Sequence, residues 1–249
     1  MRLIDDGIKR RSLTILYWKQ GKKMLHVLQQ PVIDIASEIS PEELKERSKR
    51  LMNPEKVNEY ISGLWSRTGA VFAVDMIRRV EKIAKKAEDG YDFWEDYFRR
   101  YTRERSMMIA REIVDGQVIA VNSTIDGLLQ EGMERGIGIP EIQRAMRKDL
   151  LDAMTEINIY QAERIARTEV IGASNKGSFD GAVASGLDMK KVWMTSGKPG
   201  VRPTHQEYER KGPVDMQYSY AQGLKHPGDP DGDPEEIINC RCTIGYEVD

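Results

Sequence analysis

The sequence predicts an α+β protein: helical hairpins or a bundle in the N-terminal and central parts, then a small α+β module with a short antiparallel sheet. Three observations carry this. Between residues 64 and 178, apolar residues recur at steps of three, four and seven, and only short links interrupt them. After Gly186 the texture changes to short apolar runs set among prolines and glycines. Both cysteines and two of the three histidines lie beyond residue 198. This order divides the chain into an irregular N-terminal arm over residues 1–40, a helical domain over 41–153 and an α+β module over 154–249.

The elements follow in order. Leu13–Trp18 and Met24–Ile35 read as short strands or as an arm packed elsewhere. Ser40-Pro41-Glu42-Glu43 opens a helix, with serine as N-cap, proline at the first position and glutamate at the third. Asn53-Pro54-Glu55-Lys56 repeats that logic with asparagine. Residues 64–88 carry a stripe of Leu64, Val71, Val74, Ile77, Val80 and Ala84, ended by Asp89-Gly90. Residues 91–114 carry a second, with Trp94, Phe98, Tyr101, Met108 and Ile109. A third helix follows Gly116, with Val118, Val121, Ile125, Leu128 and Met133, and stops at Gly136 and Gly138. Pro140 opens a fourth, with Ile142, Met146 and Leu150 on one side, and residues 155–178 form a fifth. Short links between such helices predict antiparallel neighbours.

Beyond Gly186, Lys191–Thr195 reads as a short strand. Thr204-His205-Gln206-Glu207 fits a capping box, which predicts a short helix from about His205 to Arg210 that stops at Gly212. Val214–Tyr220 is a weaker strand candidate, residues 226–234 are a proline-aspartate-glycine loop, and Cys242–Val248 is a closing strand. No repeat at solenoid spacing is visible.

Composition narrows the function classes. The 249 residues include 40% hydrophobic and 31% charged residues, near globular values. With 38 basic and 40 acidic residues the net charge is −2. A general polyanion binder would be far more basic, so any DNA contact must come from a local patch. No apolar run approaches the roughly 18 residues that span a bilayer, which predicts no membrane partner. The start, Met1 to Asp6, lacks the apolar core of a secretion signal. Two cysteines separated by one residue cannot staple distant parts of a fold and suit a reducing compartment. The expectation is synthesis and function inside a cell, with no export step encoded here.

Several groups could carry chemistry. Two thiolates spaced as Cys240-Arg241-Cys242 can bind one zinc ion if His205, His226, Asp229 or Asp231 approaches in space. Strong zinc patterns bring two ligand pairs, however, and alternating cysteines on a strand face opposite ways. The favoured expectation is therefore no cofactor, with zinc on His205, Cys240 and Cys242 as the alternative. The acidic loop from Asp229 to Glu235 fails the calcium-loop pattern, which needs glycine sixth and glutamate twelfth; a solvated turn is favoured. His205, near a helix N-terminus, suits a neutral ligand or base. The preferred reading is a histidine bonded to a backbone carbonyl. Glu169 shares a helical face with Ala162, Ala166 and Ala173. It is read as structural, pairing with Arg202, Arg241 or backbone amides to pin its helix to the terminal sheet. The densest basic patch, Arg99, Arg100, Arg103 and Arg105 around Tyr101, is the candidate DNA contact; a solvated or protein-facing helix surface is preferred for it.

The block from Ile165-Ala166-Arg167-Thr168-Glu169 to Ile238-Asn239-Cys240-Arg241-Cys242 resembles the phage Mu F-like family of head morphogenesis proteins. The matching elements are Arg167-Thr168-Glu169, Asn175, Gly186, Lys191-Val192-Trp193, Arg202 with His205, Pro227-Gly228-Asp229-Pro230, and Asn239-Cys240-Arg241-Cys242. The resemblance implies a minor capsid protein of a tailed phage or prophage. Such a protein is assembled in the host cytoplasm and sits in the virion head near the portal. Its partners would be the portal protein, scaffold or major capsid protein, and viral DNA. The family is not tied to any catalysis, so the resemblance implies no catalytic residue and no enzyme. In some prophage proteins a similar module is joined to a toxin domain; because this chain ends just after the cysteine pair, that domain is expected to be absent. Asp231-Gly232-Asp233 is more acidic than the family's usual loop, which argues against simple anion binding there.

The function expected on these grounds is assembly by surface complementarity, with Trp65, Trp94 and Tyr97 as anchors if exposed. The rivals are a zinc-dependent enzyme and a DNA-binding accessory protein.

Overall fold

The computed structural model describes residues 2–4, 7–81 and 91–248. In chain order the elements are β1 (Arg2–Ile4), α1 (Gly7–Ile35), α2 (Pro41–Leu51), α3 (Pro54–Glu81), α4 (Tyr91–Tyr101), α5 (Arg103–Glu134), α6 (Ile139–Ala184), β2 (Met189–Met194), α7 (Pro203–Arg210), β3 (Val214–Asp215), α8 (Pro234–Ile237) and β4 (Thr243–Val248). The class is α+β, mostly helical, with one small antiparallel sheet, as the sequence predicts.

The N-terminal stretch differs from expectation. Residues 7–35 are one helix, neither an irregular arm nor strands. Its buried positions Arg10, Tyr17, Gly21, Met24, Leu28 and Val32 recur at steps of seven, four, three, four and four. Packing of that stripe overrides the strand preference of its β-branched and aromatic residues. Pro31, which looks like a breaker, sits within the helix on its exposed side.

The other helix boundaries shift for local reasons. Ser40 Oγ accepts from Glu43 N at 3.2 Å, and Asn53 Oδ1 from Glu55 N at 2.9 Å, so both predicted N-caps form. The helix expected over 64–88 begins already at Pro54; Ala84 and Asp89-Gly90, expected to finish it, lie outside the described residues. The break expected at Gly116 falls instead at Thr102, whose Oγ1 turns back to Phe98 O at 2.8 Å. Gly116 lies inside α5, where a single glycine only weakens a helix. The fourth and fifth predicted helices are one, α6, of 46 residues. Met154 continues the buried row of Ile142, Met146 and Leu150 at steps of four, and no breaker intervenes.

The chain forms two compact units, each discontinuous in sequence, and α1, α3 and α6 each contribute to both. One contains residues 19–61 and 103–163. Within it, Leu25, Leu44, Ile61, Val121, Ile125 and Leu150 are fully buried. A buried amide network joins three of its helices. Gln29 Nε2 donates to Gln117 Oε1 at 2.6 Å, Asn158 Nδ2 donates to Gln29 Oε1 at 2.7 Å, and Gln117 donates to Gln161. Satisfied networks of this kind disfavour slipped helix registers, which would leave the amides unpaired.

The other unit contains residues 1–18, 62–102 and 164–249. Its sheet has the order β1-β4-β2-β3, with antiparallel pairs throughout. Arg2 pairs with Glu247 and Ile4 with Gly245, so the extreme N-terminus supplies an edge strand to the last strand of the chain. The sheet-bearing unit therefore does not coincide with 154–249. Closing it requires long-range pieces whose pairing leaves no local signal.

Hydrophobic clusters hold this unit's helices, and α3 takes part in the following two. Met76, Val80 and Phe179 meet Met189, Ile244 and Tyr246 of the sheet. Ala70, Ala73, Val74 and Ile77 of α3 meet Trp94 and Phe98 of α4. Trp65 and Trp94 are thus core residues rather than exposed anchors, and Tyr97 is half-buried. The crossing of α3 and α6 is made by small residues. A Cβ on Gly177 would overlap Gly69 O and lie 3.0 Å from Gly69 Cα, and one on Gly181 would lie 2.7 Å from Ala73 O.

Candidate functional site

The residues singled out from the sequence gather in the sheet-bearing unit, on the C-terminal half of α6 and the loops around it. Along α6, Thr168, Gly172, Asn175 and Phe179 recur at steps of four, three and four and share one side. Thr168 Oγ1 accepts the amide of Asn239 at 2.9 Å, and Arg167 donates to the Asn239 side chain. Asn239 has φ 60°, the one non-glycine residue in the left-handed region among the described residues. Asparagine tolerates that conformation best after glycine. Gly172 lets the backbone of residue 228 approach: a Cβ there would sit 2.7 Å from Gly228 O.

Asn175 is fully buried and bonded on both sides of its amide. Oδ1 accepts from Arg10 Nη2 at 3.0 Å, Ile244 N at 3.2 Å and Thr243 Oγ1 at 3.3 Å. Nδ2 donates to Pro227 O at 2.9 Å and Cys242 O at 3.3 Å. One side chain thus ties α1, α6, the 226–230 loop and β4 together. Burial pulls the Arg10 guanidinium down to about 9, which still leaves it charged at neutral pH.

Glu169 has a structural partner, but a different one from those expected. Its Oε2 accepts from Trp65 Nε1 at 2.8 Å, inside the core, whereas Arg202 donates to Ile238 O at 2.7 Å. Glu169→Ala is expected to destabilise this unit by about 2 kcal/mol, because a buried indole N–H is left without that acceptor. Glu169→Gln, which keeps an acceptor, should recover most of the loss in a urea melt. An alanine variant that melts like wild type yet fails in particle assembly would overturn the structural assignment.

Of the Asp229–Glu235 turn expected to be solvated, Asp229 is buried, together with His226, Pro227 and Gly228 before it. Gly228, at φ 71°, packs against Gly172, which draws the loop onto α6. Asp229 is its internal brace, accepting from Lys225 N at 3.0 Å and Asp231 N at 3.2 Å. Its Oδ2 lies 3.7 Å from His226 Nε2, and burial lowers the His226 pKa. The solvated part is the acidic pair Asp231 and Asp233, both exposed, and Asp233 caps α8 by accepting from Glu235 N at 2.9 Å.

His205, Cys240 and Cys242 do converge. Their donor atoms lie within 4.8 Å of one another and all three residues are buried. His205 Nδ1 is 3.8 Å from Cys240 Sγ and 3.4 Å from Cys242 Sγ. The expectation of oppositely facing cysteines fails because both precede β4. The turn at Asn239 brings the sulfurs to one side, with Cys242 N donating to Cys240 Sγ at 3.4 Å. The predicted capping box does not form either. Arg202 is the N-cap of α7, Pro203 takes the first turn, and Thr204 Oγ1 donates instead to Glu236 Oε2 at 3.0 Å. His205 Nε2 lies 2.8 Å from that same oxygen, though short of hydrogen-bond alignment, so this histidine does not lock a backbone carbonyl.

Trp193 stands against the imidazole at a ring separation of 4.9 Å, and Tyr208 and Tyr220 complete an aromatic wall. The Cys240 thiol is pulled down, first by its hydrogen bond with Cys242 and then by His205, against the effect of burial. Cys242 is pushed up by the same bond and by burial. A pocket of about 250 Å³ lies alongside, lined in part by Ser196, Arg202, His205, Cys240 and Cys242. Glu169 does not line it.

Sequence reasoning missed Glu236, whose approach to His205 depends on the placement of α8. It also missed the role of Lys191. On β2 the alternation puts Met189, Lys191 and Trp193 on one face, opposite Val248, Tyr246 and Ile244. Lys191 is fully buried there and donates to Met216 O at 2.7 Å and Tyr218 O at 2.5 Å. Burial lowers its pKa to about 8. A lysine at a core-facing strand position was the signal available. In the basic patch, Arg99 pairs with Glu95 at 3.4 Å and Arg100 with Asp96 at 2.9 Å, one turn back on α4. Arg103 and Arg105 open α5.

Fold and site together define a mostly helical α+β protein whose final strand, closing loop and longest helix are knotted by buried polar side chains. Residues 123–245 match the family described as Phage Mu protein F like protein. Through that segment the chain is similar to the phage Mu F-like family, and the match supports a role in phage head morphogenesis. The chain is also 26% identical to the NAD(+)--arginine ADP-ribosyltransferase EFV of Enterococcus faecalis (strain ATCC 700802 / V583), over 94% of this chain and 52% of the relative. It thus spans about half the length of that curated relative. No solved structure matches the chain. No helix among the described residues is long and apolar enough to cross a membrane.

Proposed function

We propose that this chain is a minor head protein of a tailed phage or prophage. It acts by binding the portal protein and the procapsid, through scaffold or major capsid protein, and resides in the head near the portal. One observation carries the reading: the family's recurring residues are used on each other. Arg167 and Thr168 hold Asn239, Asn175 holds Pro227 and Cys242, and Arg202 holds Ile238. Residues spent on internal ties build a stable shape, as an assembly protein requires. Arg99, Arg100, Arg103 and Arg105 are the candidate contact to viral DNA, which salt would weaken steeply; the pairing of Arg99 with Glu95 and of Arg100 with Asp96 favours a solvated helix face there instead.

The test is recovery of a tagged chain from induced or infected cells. Portal protein is expected to copurify, and tagged chain that folds but recovers no portal or capsid component would refute the reading. Catalysis is the second reading, favoured by the opening of His205, Cys240 and Cys242 on a pocket and by the name of the Enterococcus relative. Assay of the purified chain with NAD+ and an arginine-bearing acceptor separates the two; the assembly reading expects no transfer of ADP-ribose.

A further inference from the structure

We infer that His205 Nδ1, Cys240 Sγ and Cys242 Sγ bind one zinc ion, with a water molecule from the adjoining pocket in the fourth position. The argument is geometric. With Zn–S near 2.3 Å and Zn–N near 2.0–2.1 Å, neighbouring nitrogen and sulfur ligands of a tetrahedral ion stand about 3.6 Å apart. The two nitrogen–sulfur separations here, 3.4 and 3.8 Å, bracket that value. A single ring nitrogen faced by two sulfurs can donate only one hydrogen, so hydrogen bonding alone accounts for one of the two approaches.

The surroundings point the same way. The Cys242 amide directed at Cys240 Sγ at 3.4 Å favours a thiolate there. The opposite ring nitrogen of His205 faces Glu236 Oε2 at 2.8 Å. A histidine that ligates through Nδ1 must carry its proton on Nε2, and a carboxylate 2.8 Å from that nitrogen is near enough to receive the proton once the ring turns into alignment on the ion. Glu236 therefore orients His205 and does not ligate, since it lies across the ring from the sulfurs. Thr204 Oγ1 holds the same carboxylate oxygen at 3.0 Å. Two thiolates and an imidazole select a borderline-soft ion, whereas magnesium and calcium require oxygen ligands. The three residues all line the same pocket, which leaves a position for solvent. Three protein ligands plus water is the open form of a zinc site. The ion would join α7 to the segment leading into β4, independently of any portal contact.

The experiment uses the full chain, purified under reducing conditions. Metal content is measured by mass spectrometry, and cobalt(II) is then titrated while the visible spectrum is recorded. About one zinc per chain is expected, with cobalt giving a thiolate-to-metal charge-transfer band and the strong bands of a tetrahedral ion. Cys240→Ser, Cys242→Ser and His205→Gln should each weaken cobalt binding by more than about 100-fold, and Glu236→Gln by about 10- to 100-fold. Arg99→Ala should bind as wild type. The wild-type cobalt spectrum does not depend on whether a variant folds. Folded wild-type protein with both thiols reduced that takes up neither ion, or shows only the spectrum of an octahedral oxygen-ligated cobalt, would overturn the assignment.

Discussion

Asn175→Ala is expected to lower the unfolding free energy of the sheet-bearing unit by about 3–5 kcal/mol, the range for removing one partner of a buried charged or multiply bonded group. The side chain offers one acceptor oxygen and two donor hydrogens, and all are engaged in the interior. β1 covers β4 only from Gly245 onward, and Asn175 Oδ1 takes up the amide of Ile244 just before that stretch. Alanine would leave that amide and Pro227 O without this partner, and deprive Arg10 of an acceptor where water cannot replace it. Thr243→Ala, which removes one weaker contact to the same oxygen, should cost about 1 kcal/mol. All four tryptophans, at positions 18, 65, 94 and 193, lie in this unit, so fluorescence in a urea titration reads its unfolding directly. An alanine variant within about 1 kcal/mol of wild type would show that the hub contributes little net stability.

Gly177→Ala is expected to destabilise the same unit by about 2 kcal/mol or more. Two effects oppose each other. Alanine is better than glycine in a helix interior by about 1 kcal/mol. Against this, its Cβ would overlap Gly69 O and lie 3.0 Å from both Gly69 Cα and the carbonyl carbon. No rotamer relieves overlap with backbone, so α3 would have to move off α6, and overpacking of that kind costs about 1–3 kcal/mol or more. Gly127→Ala on α5 isolates the first effect, because nothing lies within 4 Å of its Cβ position. It should stabilise by up to about 1 kcal/mol in a melt followed by far-UV circular dichroism. If Gly177→Ala also stabilised, the close crossing would be wrong.

The two variants also mark how far the sequence could be read. Asn175 is visible as a polar residue on a stripe with Thr168, Gly172 and Phe179, and it belongs to the ordered family pattern. Its partners are not visible, because Arg10, Pro227 and Ile244 lie far away along the chain in both directions. Gly177 reads from the sequence as a residue that weakens a helix; only the arrival of Gly69 explains it. For Glu169 the sequence suggested arginine or backbone partners, whereas its hydrogen-bond donor Trp65 comes from a helix with no sequence link to it. Trp65 and Trp94 could be read as interface anchors until their burial was known.

The metal alternative shows the same limit at the candidate site. The spacing of Cys240 and Cys242 and the nearness of His205 in the motif order made zinc conceivable. Strand alternation argued against it, and that argument failed because one left-handed asparagine placed both sulfurs on one side. The strand reading rested on a local regularity that begins only at Thr243.

By itself the sequence determined the α+β class, the two helix caps at Ser40 and Asn53, the amphipathic stripes of the central helices and the strands β2 and β4. It also carried the resemblance to the phage Mu F-like family, since periodicity, capping and motif order are properties of near neighbours along the chain. Only the tertiary structure decided that the first residues close the last sheet. It alone decided that α3 and α6 touch through glycines, that a buried lysine faces the core, and that His205 meets two sulfurs. Those outcomes depend on which distant segments share space, and no local pattern encodes a contact between segments far apart along the chain.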